Sequence, residues 1–396
     1  MSRIIRALLR ILSNLIHKGN SRIVFISNPD FSDNTKSLYD YLIVNHPSFE
    51  CTWLCKNRKM SSELSNRGAS SVEERTLKGF FEFSRAKVII TSHNNLLPLK
   101  SKRQIYVNLW HGVPLKTIGH TDRIGKHKRD LSHSLNHKTS ITVSTSDTAS
   151  TVLGSCFHIS ANHLFVTGLP RNDDLFYPVS HDELSGLLSC DVKRYERIAF
   201  YMPTFRQGYL ERTEGKTLER DNVFRFEEFN LEAFQEHLAQ KNILFICKLH
   251  PFEEKLFKNR LDDLRKSIVF LSSEDLIKRN MNLYRVLGIA DLLITDYSSV
   301  YFDYLLLNKP MVFTPTDLEE YEKKRGFLLE PYGFWTPGPK ATNQQQLQDE
   351  ILRSLEDPDY YRKERETINN IINHYKDDRS CERVTQLIME KLNRKK

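Results

Sequence analysis

The feature that most constrains this chain is an alternation of short apolar runs with helix-patterned segments that occurs twice. After Gly19 the runs are Arg22–Ser27, Glu50–Leu54, Lys87–Thr91, Gln104–Leu109, Ser140–Ser144 and Leu164–Thr167, with a helical pattern over Asp33–Asn45. A second set comprises Arg197–Tyr201, Asn242–Lys248, Ser267–Leu271, Asp291–Thr295 and Pro310–Thr314. These runs are rich in β-branched and aromatic residues, as strands are. Strands that alternate with helices form a parallel sheet covered on both faces. A chain of 396 residues is too long for one ordinary core. The expectation is an α/β protein of two doubly wound, Rossmann-type domains, 20–178 and 179–375, facing one another across a cleft. Tyr177–Lys193 reads as the connection, the polar stretch Gln207–Glu227 as a mobile loop, and 376–396 as a C-terminal helix with a basic tail.

The net charge of +8 calls for an anionic partner: a phosphorylated substrate, an acidic membrane surface or nucleic acid. Nucleic acid is disfavoured, because no recognised binding motif accompanies the charge. The six cysteines are scattered, which argues against a disulfide framework or a zinc site. No metal-ligand spacing stands out, and no cofactor is assigned. No apolar run approaches the roughly 20 residues of a membrane span.

Residues 1–19 are different in kind. Ile4, Ile5, Leu8, Leu9, Ile11, Leu12, Leu15 and Ile16 recur at helical spacing, while Arg3, Arg6, Arg10, His17 and Lys18 fall largely on the other side. A basic amphipathic helix of this kind lies in the interface of an anionic membrane or packs on the protein's own core; the arginines and the terminal position favour the membrane.

Ligands of open α/β sheets bind beyond the carboxyl ends of the strands. Unusual polar residues stand there in both halves: Trp110-His111-Gly112 and Gly168-Leu-Pro-Arg171-Asn172-Asp173 in the first, Tyr201-Met-Pro-Thr204-Phe-Arg206, Lys248-Leu-His250-Pro251 and Thr295-Asp296-Tyr-Ser298-Ser299 in the second. Their chemistry points to phosphate. Arg171 and Arg206 have the fork geometry for phosphate oxygens, Lys248 adds a point charge, and Ser298 and Ser299 precede a helical run. A histidine suits the deprotonation of an acceptor hydroxyl, because its ordinary pKa lies near neutrality. Group transfer from a diphosphate-activated donor fits this set, with His111 in the stretch NLWHGVPLKTIGH as base and Gly112 and Pro114 shaping its loop.

The segments WHG-PLK-IG, GLPRND, YMPTFR, KLHP, TDYSSVYFDY and NKPMVF, in order from about residue 85 to about residue 340, resemble the CDP-glycerol glycerophosphotransferases of teichoic acid and related polymer synthesis. Tyr321, Arg325-Gly326-Phe327 and Pro337-Gly338-Pro339 are similar as well. The resemblance implies a GT-B-like fold and peripheral attachment to the cytoplasmic face of the membrane. It also implies transfer of glycerol phosphate, or in relatives ribitol phosphate, from the CDP-alditol to a lipid-linked or polymer acceptor, with release of CMP. It marks His111 and His250 as functional, with His250 stabilising phosphate charge. Donor contacts would come from Gly112, Lys116, Arg171, Asn172, Thr204, Arg206, Lys248, Asp296, Ser298 and Ser299. A nucleotide-sugar-dependent glycosyltransferase on the same fold is the alternative, since fold does not fix chemistry.

Overall fold

The computed structural model describes residues 3–56, 58–122, 139–205, 222–250, 253–254 and 267–394. Two wholly parallel sheets organise them. The first has seven strands: β1 (Gly19–Ile26), β2 (Glu50–Cys55), β3 (Ser71–Glu73), β4 (Ala86–Thr91), β5 (Ile105–Asn108), β6 (Ile141–Ser144) and β7 (Leu164–Val166), in the order β3-β2-β1-β4-β5-β6-β7. The second has five: β8 (Arg197–Tyr201), β9 (Ile243–Cys247), β10 (Ile268–Phe270), β11 (Leu292–Thr295) and β12 (Met311–Phe313), in the order β10-β9-β8-β11-β12.

The strands read as almost unbroken apolar runs because both faces of each sheet are covered. Along β1 the side chains alternate: Ile23 and Phe25 join one core with Trp53, Val88, Ile90 and Val107, while Val24 and Ile26 join another with Leu54, Ile89 and Tyr106. Helix α1 (Arg3–Leu15) contributes Leu9 to the second of these cores, yet Leu8, Ile11, Leu12 and Leu15 are 55%, 57%, 50% and 77% exposed. Helix α2 (Asp33–Asn45) covers the opposite face through Leu38, Tyr39 and Leu42.

The connection to the second sheet runs through the short helix α3 (Pro170–Asp173) and then α4 (His181–Leu188). Helix α4 opens with a capping box in which Ser180 and Glu183 satisfy each other's backbone N–H groups. The second sheet is packed by α5 (Leu283–Ile289), α6 (Val300–Tyr304) and α7 (Arg362–Ile372), through Val286, Leu287, Tyr301, Phe302, Ile368 and Ile372 among others. On its other face Val223, Phe224 and Phe226 are core residues, so the end of the polar stretch Gln207–Glu227 is anchored, while 206–221 lie outside the described residues. The last helix, α8 (Ser380–Asn393), does not stay with the second sheet. It returns to the first, where Cys381, Val384 and Ile388 complete the core beside α2. Both carboxylate oxygens of Asp173 in α3 accept from its first turn, from the N–H of Ser380 at 2.9 Å and of Cys381 at 2.8 Å.

Register decides which loops meet. Ile26 pairs with Thr91 and Thr91 with Asn108, so the chain leaves β1, β4 and β5 from one row. In the second sheet Tyr201 pairs with Cys247 and with Ile294, which puts the exits of β8, β9 and β11 side by side.

Candidate active site

At the end of β5 the chain turns through Trp110 and Gly112, both at positive φ (53° and 128°). Three asparagines hold this turn. Asn108 accepts from the Trp110 N–H at 2.9 Å, Asn34 donates to the Trp110 carbonyl at 2.9 Å, and Asn94 accepts from the Asn108 amide at 2.9 Å. The φ of Gly112 calls for glycine, and a Cβ there would also stand close, 3.1 Å from Arg171 Nη2 and 3.2 Å from Ser299 Oγ. The loop then crosses to the other half. Val113 and Leu115 are buried in the core of the second sheet. The Thr117 N–H donates to the Gly326 carbonyl at 3.1 Å and the Leu328 N–H to the Leu115 carbonyl at 2.8 Å. The Arg-Gly-Phe segment at 325–327 is therefore the second half's clasp on the histidine loop.

His111 is sandwiched. Its ring lies 4.0 Å from Trp110 and 4.5 Å from the His93 ring, the latter at an interplanar angle of 11°. Its Nδ1 is 3.4 Å from the Ser92 carbonyl, which can only accept; this contact favours the tautomer protonated on Nδ1, in which Nε2 keeps its lone pair. Burial, then the neighbouring His93, push the His111 pKa down to about 3, with Asp33 opposing and Arg171 adding to the shift. The imidazole is neutral at physiological pH, as a base must be.

Arg171 sits beneath this loop, almost fully enclosed. It pairs with Asp33 at 2.6 Å and with Asp303 at 2.7 Å, and donates to the His111 carbonyl at 3.1 Å. Tyr284 donates to the same Asp303 oxygen at 2.6 Å, and Asn172 donates to its partner oxygen at 3.1 Å. Burial disfavours ionisation of Asp33, but Arg171 and the two histidines outweigh it and the carboxyl stays below its ordinary range. The structure thus gives Arg171 and Asn172 a cross-linking geometry on protein carboxylates, while the buried Arg171 Nε–H makes no hydrogen bond among the described residues.

On the second sheet, His250 follows β9 and stacks on Phe205 from the β8 exit, centroids 4.3 Å apart. Burial, then Lys248, lower its pKa to about 4; Glu254 opposes and Lys116, reaching from the first half's loop, adds to the lowering. Lys248 is itself buried, with its ammonium on Glu254, on Ser273 Oγ at 3.0 Å and on the Leu249 carbonyl at 2.9 Å. Asp296 accepts from the N–H of Thr204 at 2.7 Å and of Tyr297 at 2.5 Å, tying the exits of β8 and β11 together. The Thr204 hydroxyl is buried and makes no hydrogen bond among the described residues. Ser298 and Ser299 are partly exposed before α6, a helix of only five residues. Arg206 lies outside the described residues.

The sequence-derived residues thus gather along one seam: the 111–116 loop approaches Ser299 at one end and His250 at the other, with Arg171 and Asn172 below. Sequence reasoning missed Asp33, Ser92, His93, Tyr284 and Asp303. The first three were within reach of the rule that found His111, since they too follow strands of the same row. No grouping of His, Cys, Asp and Glu among the described residues has the geometry to hold a metal ion.

The chain as a whole is similar to known proteins. The chain is 26% identical over 393 residues to the teichoic acid glycerol-phosphate transferase of Staphylococcus aureus, covering 96% of this chain and 95% of that one. It is 26% identical over 344 residues to the teichoic acid poly(glycerol phosphate) polymerase of Bacillus subtilis, covering 83% of this chain and 43% of that longer protein. In structure it matches the wall teichoic acid polymerase TagF with a TM-score of 0.79 and 21% identity, over 98% of this chain and 93% of that one, a likeness of fold that extends to both sheets. The family profile of CDP-glycerol:poly(glycerophosphate) glycerophosphotransferases matches residues 9–390, and the chain belongs to that family.

Proposed function

We propose that this chain transfers glycerol phosphate from CDP-glycerol to a hydroxyl of a lipid-linked or polymer acceptor and releases CMP. The observation that carries the mechanism is the place of His111, Nδ1 toward the Ser92 carbonyl, on a loop that both halves build. In the step, the acceptor oxygen bonds to the phosphorus that bears glycerol, the bond from that phosphorus to the CMP oxygen breaks, and the acceptor proton passes to His111 Nε2. CMP departs with the electron pair. Phosphoryl transfer of this kind depends on positioning and on neutralising charge. His250 as an N–H donor, the Lys116 ammonium and the hydroxyls of Thr204, Ser298 and Ser299 supply these on the second half. Gly112 lets the loop approach Ser299 closely. Arg171, Asn172 and Asp296 hold the seam, while Lys248 supports the His250 loop and adds positive potential.

The acceptor class bears on location. No described helix is long and apolar enough to cross a membrane. The exposed stripe Leu8, Ile11, Leu12 and Leu15 on α1, with arginines along the same helix, supports peripheral attachment to an anionic membrane surface on its cytoplasmic face. The decisive experiment offers the purified protein CDP-glycerol, CDP-ribitol, UDP-glucose and GDP-mannose with a panel of lipid-linked acceptors. Products are read by mass spectrometry and the released nucleotide is identified. CMP release with mass gain of a glycerol phosphate unit supports the assignment; UDP or GDP release with a hexose gain replaces it with glycosyl transfer.

A further inference from the structure

The loop after β4 carries a second histidine that the transfer step above does not use. The His93 ring lies parallel to that of His111, centroids 4.5 Å apart. Ser92 between the strands serves both: its carbonyl is the 3.4 Å partner of His111 Nδ1, and its hydroxyl is 2.7 Å from His93 Nδ1. Ser92 is fully buried, and its own backbone is set by β4, whose last residue Thr91 pairs with Asn108 of β5. Two parallel stacked rings make no hydrogen bond to each other, so no proton passes between them. What the stack does is close off one face of His111 while Trp110 lies against it from another side.

We propose that His93, oriented by the Ser92 hydroxyl, is a positioning residue: its ring is the wall that keeps the His111 imidazole in plane, with Nδ1–H on the Ser92 carbonyl and Nε2 unprotonated toward the acceptor. This rests on His111 being the base. The wall also governs protonation. Asp33 faces both rings and favours their cations; Arg171 opposes this at His111 and Lys56 at His93, and Asp33 is itself neutralised by Arg171 at 2.6 Å. With the wall in place the pair is desolvated and an imidazolium is disfavoured. Removing the His93 ring admits water, so His111 gains protons at a higher pH.

The test uses the full chain with His93→Ala, His93→Phe, Ser92→Ala and, as control, His111→Ala. Three quantities are read: CMP release with CDP-glycerol and acceptor as a function of pH, calorimetric CDP-glycerol binding, and titration of the His111 ring by NMR on histidine-labelled protein. His93→Ala is expected to lower kcat by roughly 10- to 100-fold, the scale of a misplaced catalytic group. Donor affinity should stay within about twofold, since the ring is assigned no donor contact. The His111 titration and the acid limb of kcat should both move to higher pH. His93→Phe, which restores a flat neutral wall, should recover most of kcat and return the limb. Ser92→Ala keeps the carbonyl, frees His93 and should fall between them, and it reads the same role should His93→Ala fail to fold. Unchanged kcat and unchanged titration in His93→Ala would overturn the proposal. So would equal loss in His93→Ala and His93→Phe, which gives the imidazole nitrogen a direct role, or weakened donor binding at constant kcat, which makes His93 a donor ligand. If His111→Ala keeps CMP release, the base assignment has failed. The NMR titration still decides separately whether His93 controls the His111 ring.

Discussion

Arg171 and Asp303 meet at 2.7 Å across the boundary between the two halves, and both are buried. The same guanidinium nitrogen donates to the His111 carbonyl, so the pair that joins the halves also supports the histidine loop. Removing one partner of such a pair leaves an uncompensated buried charge, at a cost of about 3–5 kcal/mol. We predict that Asp303→Ala loses stability on that scale in urea unfolding and loses kcat as well. Arg171→Lys should not rescue the seam, because one ammonium cannot serve Asp33, Asp303 and the carbonyl with the same fork. A mutant of either residue with wild-type stability and turnover would contradict the cross-link.

The two histidines should separate kinetically. We predict that His111→Ala abolishes transfer while calorimetric CDP-glycerol binding stays near normal, since the base is lost and the donor side is not. His250→Ala should slow transfer through weaker stabilisation of the departing CMP. A positioned acid–base group is worth ~10²–10⁴ in rate, so a twofold effect at position 111 would refute its role.

Their protonation sets a pH signature. His111 and His250 are held down to about 3 and about 4, by burial first, against roughly 6.5 in an unfolded chain. The base form of the free enzyme therefore persists far below neutrality. We predict that kcat/KM shows no acid limb near pH 6.5. The anionic donor favours a protonated neighbour, so the limb in kcat should lie at higher pH than the limb in kcat/KM. Stability follows the same sign. The unfolded chain binds more protons between the folded and unfolded values, so the contribution of these histidines is complete above about 6.5 and is lost as pH falls toward 4 and 3. A kcat/KM profile that halves near pH 6.5 would show that His111 is not desolvated in solution.

The exposed stripe on α1 gives a fourth prediction. Replacing Leu8, Ile11, Leu12 and Leu15 together by serine should release the protein from anionic vesicles in a sedimentation assay. Its unfolding midpoint should fall far less than for a core substitution, because each of these side chains is at least half exposed. Higher salt should weaken the wild-type attachment. Unaltered co-sedimentation of the quadruple variant would remove α1 as the anchor.

Much of this architecture could be read from the chain because parallel strands buried on both faces leave a plain apolar signature. Arg197–Tyr201 and the helix Asp33–Asn45 were legible to the residue. The three-residue edge strand Ser71–Glu73 was not, since an edge strand needs little apolar surface. The helical pattern of α8 was visible, but not its partner: Cys381, Val384 and Ile388 mark an apolar face without saying which sheet it covers. At the site, strand-end histidines stood out beside Gly and Pro. Asp303 did not, because inside the run VYFDYLLL a lone carboxylate reads as the helix's solvent side. Only the fold reveals that Arg171, 132 residues earlier, meets it there. Ser92 and His93 also follow a strand, but they lack flanking Gly and Pro, and only the register of β4 and β5 sets them beside His111.

The return of α8 has a consequence for biosynthesis. The core beside α2 is closed by Cys381, Val384 and Ile388, and the Asp173 carboxylate accepts from the backbone of Ser380 and Cys381. The half of the molecule that is translated first therefore cannot finish folding until the half translated after it has emerged. While the second sheet is being made, the apolar surface beneath α8 is open to other contacts, and a nascent chain in that state is a natural client for a chaperone.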